Sequence, residues 1–260
     1  MRPRLLAAAL AAFAALATTA CTNAPGSPGT PTPTKAATTV LEEAAGKSNG
    51  QSFKYTLTYG EGLTGDGYQD AAGENASRNV VIKDPSTGLT IKANGLLFPD
   101  GLYLKVDLGP MTASIPGLGG LGDKWLVADK AKIGDTGLAA FLTSTESNKP
   151  EAFIKGVVTA EQTSPTEIKG TFDLAKSAIG IATPAEIATV GDAAKSIPFA
   201  VTLDADGRIS KIVLDMPKLP EYPEADLVTT FTDYGAAVEV PKPAADQTVP
   251  APEMIYLFLQ

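Results

Sequence analysis

The stretch that decides the fold is residues 198–215, which read PFAVTLDADGRISKIVLD. Apolar residues such as Val201 and Leu203 precede the sequence DADG, and another apolar run follows it. Asp and Gly are the residue types that a tight hairpin turn requires. The stretch therefore predicts two antiparallel strands, 198–204 and 208–215. Asp204 and Asp206 also raise the alternative of calcium ligands, but the spacing ends after two acids and no Glu closes a loop.

Alternation with a period of two recurs elsewhere, most clearly where Phe53, Tyr55, Leu57 and Tyr59 alternate with polar residues. Further strands are predicted at residues 78–83, 89–93, 101–108, 124–128, 157–162, 167–173 and 226–234. Helices are predicted at residues 36–47, 137–144, 150–155 and 184–194, and the Gly- and Asp-rich residues 60–73 are predicted to form a loop. This order, without a βαβ alternation, predicts an α+β domain in which a curved antiparallel sheet is covered by helices.

The N-terminal segment has the layout of a secretory signal peptide that ends at the single cysteine, Cys21. Two arginines precede an apolar run over residues 5–17, and the small residues TTA stand directly before Cys21. This pattern favours a lipoprotein signal, in which Cys21 is lipidated and anchors the chain to the outer face of the cell membrane. The alternative is a plain signal peptide with an unrelated cysteine nearby.

The pattern divides the chain into four parts. Residues 1–20 are expected to be the signal peptide, and residues 21–35 a lipidated cysteine with a disordered Pro- and Thr-rich tether. Residues 36–250 are expected to form the folded domain, and residues 251–260 an apolar tail that either plugs a cavity or packs on the sheet.

The charge and the composition of the chain exclude several classes of function. The net charge is −8, and removal of residues 1–20, which carry two arginines and no acids, leaves −10. Nucleic acid is not expected as a partner, because phosphates must be met by clustered basic residues. The chain contains no histidine, so His-dependent catalysis and the usual zinc sites are not expected. We expect no enzyme activity and no cofactor, with a carboxylate-pair hydrolase as the remaining catalytic alternative.

The glycine-rich residues 117–122, GLGGLG, formally match a dinucleotide-binding fingerprint. That motif requires a strand before it and a helix after it, whereas a predicted strand follows here. A flexible apolar connection is the favoured interpretation. A mobile flap over an apolar opening, formed by residues 111–121, is the alternative.

The apolar face of the predicted sheet has two possible roles. It either forms an ordinary core or lines a dry cavity for an acyl chain, which needs no polar partners. The candidate cavity residues are apolar side chains on predicted strands and on the glycine-rich connection: Phe53, Tyr55, Leu57, Leu102, Leu104, Val106, Ile115, Leu118, Val201 and Leu203.

Several segments together resemble the actinobacterial LppX/LprA/LprF/LprG lipoprotein family. They are the signal that ends at Cys21 and the segments GLYLKVD (101–107), DKWLV (123–127), 198–215 and TFTDYG (230–235). The resemblance implies a half-open, β-barrel-like antiparallel sheet with helices on its concave face, similar to periplasmic lipoprotein carriers.

The same resemblance implies a monomer that binds acylated lipid or glycolipid in a hydrophobic cavity and carries it across the cell envelope. An envelope lipid exporter is the partner it suggests. A surface scaffold or signalling lipoprotein with a fully packed core is the alternative.

Overall fold

Strands make up most of the folded part of this chain. The computed structural model describes residues 35–72, 74–84, 87–110, 124–134, 137–144, 149–220, 222–257 and 259. The strands in chain order are β1 Phe53–Tyr59, β2 Leu63–Gln69, β3 Ala76–Lys83, β4 Thr90–Phe98, β5 Gly101–Asp107, β6 Trp125–Ala128, β7 Val157–Ser164, β8 Glu167–Phe172, β9 Ile197–Leu203, β10 Ile209–Met216, β11 Ala225–Thr232 and β12 Thr248–Pro250. The α-helices are α1 Ala37–Gly46, α2 Gly137–Thr143, α3 Pro150–Ile154, α4 Pro184–Val190 and α5 Glu253–Leu257.

The described strands form one sheet of mostly antiparallel pairs, in the order β12-β6-β5-β4-β3-β2-β1-β11-β10-β9-β8-β7. Its two ends, β12 and β7, do not pair with each other in the described part of the chain, so the sheet is open. The α+β class is confirmed. The predicted strands pair in antiparallel fashion, and the exception to the antiparallel sheet is β12, an additional strand that pairs with β6 in parallel. The chain between β6 and β12, residues 129–247, is far longer than the crossover that a parallel pair requires.

The predicted loop at residues 60–73 is also wrong, because β2 lies inside it and pairs with both β1 and β3. Glycines normally weaken a strand, which is why the sequence pattern indicated a loop. Here Gly67 is opposite Tyr55, and a Cβ on Gly67 would lie 2.6 Å from the Tyr55 hydroxyl oxygen. The close approach of the Tyr55 ring therefore requires a residue without a side chain.

Helices form at all four predicted places, with ends that differ from the prediction by a few residues. In α4 the Thr183 side chain accepts a hydrogen bond from the Glu186 N–H, and the Glu186 carboxylate accepts one from the Thr183 N–H. This reciprocal capping box satisfies two main-chain donors at the start of the helix. The predicted helix at 184–194 ends earlier, at Val190, and Gly191–Lys195 continue as a 3₁₀ helix.

The hairpin in residues 198–215 forms as predicted, with residues 199–203 of β9 paired with residues 209–214 of β10 and a register shift between Ile209 and Lys211. Asp204 accepts hydrogen bonds from the N–H groups of Asp206 and Arg208 and from the Arg208 side chain. Gly207 has a φ of +72°, which favours glycine. The acids are thus used within the turn, which supports the turn interpretation.

The core consists of two hydrophobic clusters on one face of the sheet. The first joins β1 and β8–β11 to α1 and α3 through residues such as Leu41, Phe53 and Phe153. The second joins β4–β6 to α2 and α5 through residues such as Leu104 and Ile255. Part of the predicted C-terminal tail therefore packs against the sheet.

The opposite face of the sheet is more polar. Across β2, β3 and β4, Asn79 Nδ2 donates to Asp66 Oδ2 at 2.8 Å, and Asn94 Nδ2 donates to Asn79 Oδ1 at 3.1 Å. These exposed side chains form a hydrogen-bonded row on the solvent side. The face that carries the two hydrophobic clusters is therefore the more apolar one, and it is the face suited to an apolar ligand.

Candidate ligand cavity

An apolar cavity with a volume of about 110 Å³ lies on the apolar face of the sheet. Its floor comes from strands that neighbour one another in the sheet. The cross-strand register aligns Leu57 of β1 with Gly65 of β2 and with Val80 of β3, and Leu63 of β2 with Ile82 of β3. The rest of the floor comes from β10 and β11: Ile212, Leu214, Leu227, Thr229 and Phe231.

The opposite wall comes from helices and connections. Phe141 of α2 and Phe153 of α3 contribute aromatic rings, and the Ile179–Gly180–Ile181 segment and Tyr222 complete the wall. Lys149, directly before α3, is the charged side chain among the described lining residues. The cavity is therefore enclosed mainly by hydrocarbon and aromatic groups. Such a site excludes water and is suited to an apolar ligand.

Stacked aromatic rings hold the α3 side of the wall. The Phe153 ring lies parallel to the Phe172 ring, with centroids 5.2 Å apart and an interplanar angle of 4°. It also meets the Phe199 ring edge-on, with centroids 5.1 Å apart. Phe153 is 2% exposed. These contacts indicate a rigid wall at α3.

A buried polar cluster lies next to the cavity on the same face. Arg78 of β3 is 1% exposed. Its Nη1 donates to the Leu142 carbonyl oxygen and its Nη2 to the Ser144 carbonyl oxygen, both at 2.8 Å, which holds the end of α2 against the sheet. Its Nη2 also lies 3.4 Å from Gln69 Oε1. Burial lowers the pKa of the Arg78 guanidinium.

The Tyr55 hydroxyl is the neighbour of Arg78 in this cluster. Burial raises the pKa of Tyr55 to about 12, and the positive charge of Arg78 opposes this rise. The charge of Arg78 and a side-chain hydrogen bond between the two groups both lower the pKa of Tyr55, against the larger effect of burial. The Tyr55 ring meets the Phe141 ring edge-on, with centroids 6.4 Å apart. The polar cluster and the cavity wall therefore share Phe141 as a boundary.

The candidate residues from the sequence fall into four groups. Leu57 lines the cavity. Phe53, Tyr55, Val201 and Leu203 lie in the first hydrophobic cluster, beside the cavity.

Leu102, Leu104 and Val106 belong to the second cluster, away from the described lining residues. Cys21, Ile115 and Leu118 lie outside the described residues, as do the glycine-rich segment 117–122 and the suggested flap at 111–121.

Most cavity residues were missed by sequence reasoning. Val80, Ile82 and Leu227 are on predicted strands, and their period-two alternation was a usable signal for the floor. The wall residues Phe141 and Phe153 are on short helices whose packing partners lie far away in sequence. No local pattern identifies such residues, because only the tertiary fold brings them over the sheet.

A second pocket, of about 540 Å³, lies beside β6, β12 and α5. It is lined by polar and apolar groups, and its lysines are already engaged. Lys130 Nζ donates to the Phe98 carbonyl oxygen at 2.7 Å, and Lys132 Nζ donates to Glu253 Oε1 at 2.5 Å. This pocket therefore presents neither a continuous apolar lining nor an unengaged lysine.

Two further properties of the described residues bear on the site. They contain no group of three or more acidic, His or Cys side chains placed to hold a metal ion. They also contain no helix that is long and apolar enough to cross a membrane.

Comparisons with known proteins give little information. No protein-family model matches the chain, and no curated protein is significantly similar to it. A solved structure of the Pseudomonas aeruginosa MucA/MucB complex is similar at 14% sequence identity over 81% of this chain, with a TM-score of 0.25. The chain spans 59% of the length of that chain. No functional conclusion is drawn from a similarity this low.

Proposed function

We propose that this protein is a membrane-anchored lipoprotein that binds an acyl chain of a lipid or glycolipid and carries it across the cell envelope. The observation that supports the proposal is the apolar cavity between the sheet and α2 and α3. In this proposal the sheet is curved and half-open, and the helices cover its concave face. The resemblance to the LppX/LprA/LprF/LprG lipoproteins supports the same function.

The chemistry of the lining favours a hydrocarbon ligand. Each Å² of apolar surface that leaves water on binding contributes about 25 cal/mol, so a long chain gains free energy without any polar contact. An apolar cavity of about 150 Å³ holds one benzene molecule, so the 110 Å³ present here takes the first few carbons of a chain. Binding of a long chain therefore requires that wall side chains move, and Phe141 on the short helix α2 is the candidate for that movement.

The anchor in this proposal is the lipidated Cys21, and residues 22–34 are the tether that lets the domain reach lipid. Two or three acyl chains on one cysteine hold a protein firmly to a bilayer, whereas one chain binds marginally. A Cys21→Ser variant is therefore expected to move from the membrane fraction to the aqueous fraction. Equal membrane association of this variant and the natural chain would contradict the anchor.

The test of ligand binding uses two adjacent valines on β3. Val80 is 3% exposed and lines the cavity, whereas Val81 points to the opposite face, where it pairs with Thr64 and Lys92. Val80→Phe fills the cavity, and Val81→Phe adds the same atoms outside it. We expect Val80→Phe to weaken the binding of a fluorescent acyl probe at least about tenfold and Val81→Phe to leave it unchanged.

Native mass spectrometry of the whole chain from a related host complements this test. Adducts of lipid mass that disappear on delipidation support a carrier and identify its ligand. A mass without adducts, together with no uptake of added probe, contradicts the proposal and favours the scaffold alternative. Equal binding by the two valine variants would show that the probe does not occupy this cavity.

A further inference from the structure

Phe141 lies at the boundary between the cavity and the second hydrophobic cluster. Its ring lines the cavity, and the residue packs, partly buried, against both hydrophobic clusters of the sheet. Among the described residues that line the cavity, Phe141 is the one that contacts both clusters. The ring therefore separates the space of the cavity from the packed region over β4–β6.

A glycine of β2 makes room for the Phe141 ring. Gly65 is aligned between Leu57 of β1 and Val80 of β3, which both line the cavity floor. A Cβ on Gly65 would lie 3.5 Å from Phe141 Cζ, which is ordinary van der Waals contact, so the tip of the ring lies over this glycine. The ring thus fills the place where the floor has no side chain of its own. Removal of the ring would join that place to the cavity.

The main chain of α2 is held more firmly than the Phe141 ring. Arg78 donates to the Leu142 carbonyl oxygen at 2.8 Å, and Leu142 is 1% exposed. The ring contact of Phe141 among the described residues is the edge-on one with Tyr55, with centroids 6.4 Å apart. Phe153 on the other part of the wall meets two rings at 5.2 and 5.1 Å. A ligand that needs more room therefore displaces the Phe141 ring before it displaces α2 or Phe153.

We propose that Phe141 sets the length of the acyl chain that this cavity accepts. In its observed position the ring ends the cavity, and the first few carbons of a chain fit without any movement. A longer chain enters the place over Gly65 by turning the ring aside, which breaks the contacts of the ring with the two clusters. This inference rests on the proposed function and adds the residue that makes the site selective for chain length.

The experiment measures how affinity depends on chain length. Saturated fatty acids from hexanoate to tetradecanoate displace a fluorescent acyl probe from the whole chain, which is kept in a fluorinated non-ionic surfactant that mixes poorly with hydrocarbon. Each methylene group that leaves water and enters an apolar site raises affinity about fourfold. For the natural chain we expect a smaller gain per carbon, because every carbon beyond the first few must displace the ring.

Phe141→Ala is expected to favour long chains. The space left by the ring holds about four methylene groups, since an apolar cavity of about 150 Å³ holds a benzene molecule. The variant is therefore expected to bind hexanoate about as tightly as the natural chain does, and tetradecanoate at least about tenfold more tightly. Phe141→Trp fills more of the same place and is expected to weaken the binding of tetradecanoate relative to hexanoate. A merely structural role of the ring would change the affinity for all chain lengths by the same factor.

Phe98→Ala is the matched control. Phe98 is 7% exposed at the end of β4, meets the Tyr103 ring edge-on with centroids 5.7 Å apart, and is not among the described residues that line the cavity. The same truncation there removes packing without adding space to the cavity, so the dependence of affinity on chain length is expected to match that of the natural chain. If Phe141→Ala fails to fold, Phe141→Leu decides the question, with a smaller change in the same direction.

The outcomes separate this inference from the function on which it rests. The same dependence on chain length in the natural chain and in Phe141→Ala, with probe bound by both, overturns the role of Phe141 and leaves an acyl-binding cavity. An equal preference for long chains in Phe98→Ala also overturns it, because lost packing rather than added space would then be the cause. Failure of every acid and of the probe to bind the natural chain overturns the proposed function as well.

Discussion

Phe153→Ala tests whether the α3 wall of the cavity is a packed part of the core. The ring is 2% exposed and contacts the rings of Phe172 and Phe199 with centroids 5.2 and 5.1 Å away. The change removes the contacts of the ring carbons, which are the whole side chain beyond Cβ. It also adds empty volume beside the existing cavity.

The expected cost follows from these contacts. Truncation of a buried Phe to Ala lowers the free energy of unfolding by about 3–5 kcal/mol, since apolar transfer is lost and a cavity remains. Each aromatic pair contributes about 0.5–1.5 kcal/mol of that loss. A domain from the middle or the upper part of the typical range of about 5–15 kcal/mol stays folded at 25 °C after such a loss.

The assay is equilibrium unfolding in urea, followed by circular dichroism and by fluorescence. Trp125 is the only tryptophan of the chain and gives a single fluorescence signal. Unfolding curves that coincide when followed by circular dichroism and by fluorescence support a two-state analysis. Val158→Ala is the control, since Val158 is 48% exposed on β7 and is expected to change stability by less than about 0.5 kcal/mol.

Two results would refute the reasoning. A loss below about 1 kcal/mol for Phe153→Ala would show that the ring is not packed as described. If Phe153→Ala lowers the free energy of unfolding no more than Val158→Ala does, the Phe153 ring is likewise not packed as described. Addition of a small apolar ligand is expected to restore part of the stability, because a ligand that binds only the folded state shifts the equilibrium towards it.

Three further predictions concern local features. Thr183→Ala removes the capping box of α4 and is expected to lower the free energy of unfolding by about 1 kcal/mol in the same urea assay, whereas no change would contradict the cap. Gly67→Ala places a Cβ 2.6 Å from the Tyr55 hydroxyl oxygen and is expected to cost at least about 1–3 kcal/mol; a neutral result would contradict the close packing. Burial raises the pKa of Tyr55 and of Tyr59 to about 12, above the ordinary value of 10.0. The unfolded chain therefore loses these protons first, and stability is expected to fall between pH 10 and 12. Urea midpoints across that range test this, and Tyr55→Phe should flatten the decrease.

Several parts of the fold were predictable because the information is local. The hairpin of β9 and β10 is marked by the sequence DADG between apolar runs, and the N-terminus of α4 by Thr183 and Pro184. The period-two alternation in residues 53–59 gave β1 with its boundaries. In each case, neighbours within a few residues satisfy the main-chain groups or define the buried face.

Strand β2 shows where local information was misleading. Its sequence, LTGDGYQ, has turn-like composition, yet it pairs along its whole length with β1 and β3. The glycines are required by partners that come from elsewhere, such as the Tyr55 ring. Strand propensity depends on what packs on the pleated surface, so composition alone did not identify this strand.

The cavity likewise combines features that are set by local sequence with features that depend on long-range packing. Alternation along the strands was enough to specify that one face of the sheet is apolar, since the side chains of a strand point alternately to its two faces. Whether that face is a filled core or lines a space depends on Phe141, Phe153 and the Ile179–Gly180–Ile181 segment, which reach it through long-range packing. The burial of Arg78 beside Tyr55 was likewise hidden in the sequence, because an arginine in an alternating strand is ordinarily assigned to the solvent face. Arg78 can lie on the apolar side because α2 docks there. The carbonyl oxygens of Leu142 and Ser144, at the end of α2, accept the hydrogen bonds of the Arg78 side chain.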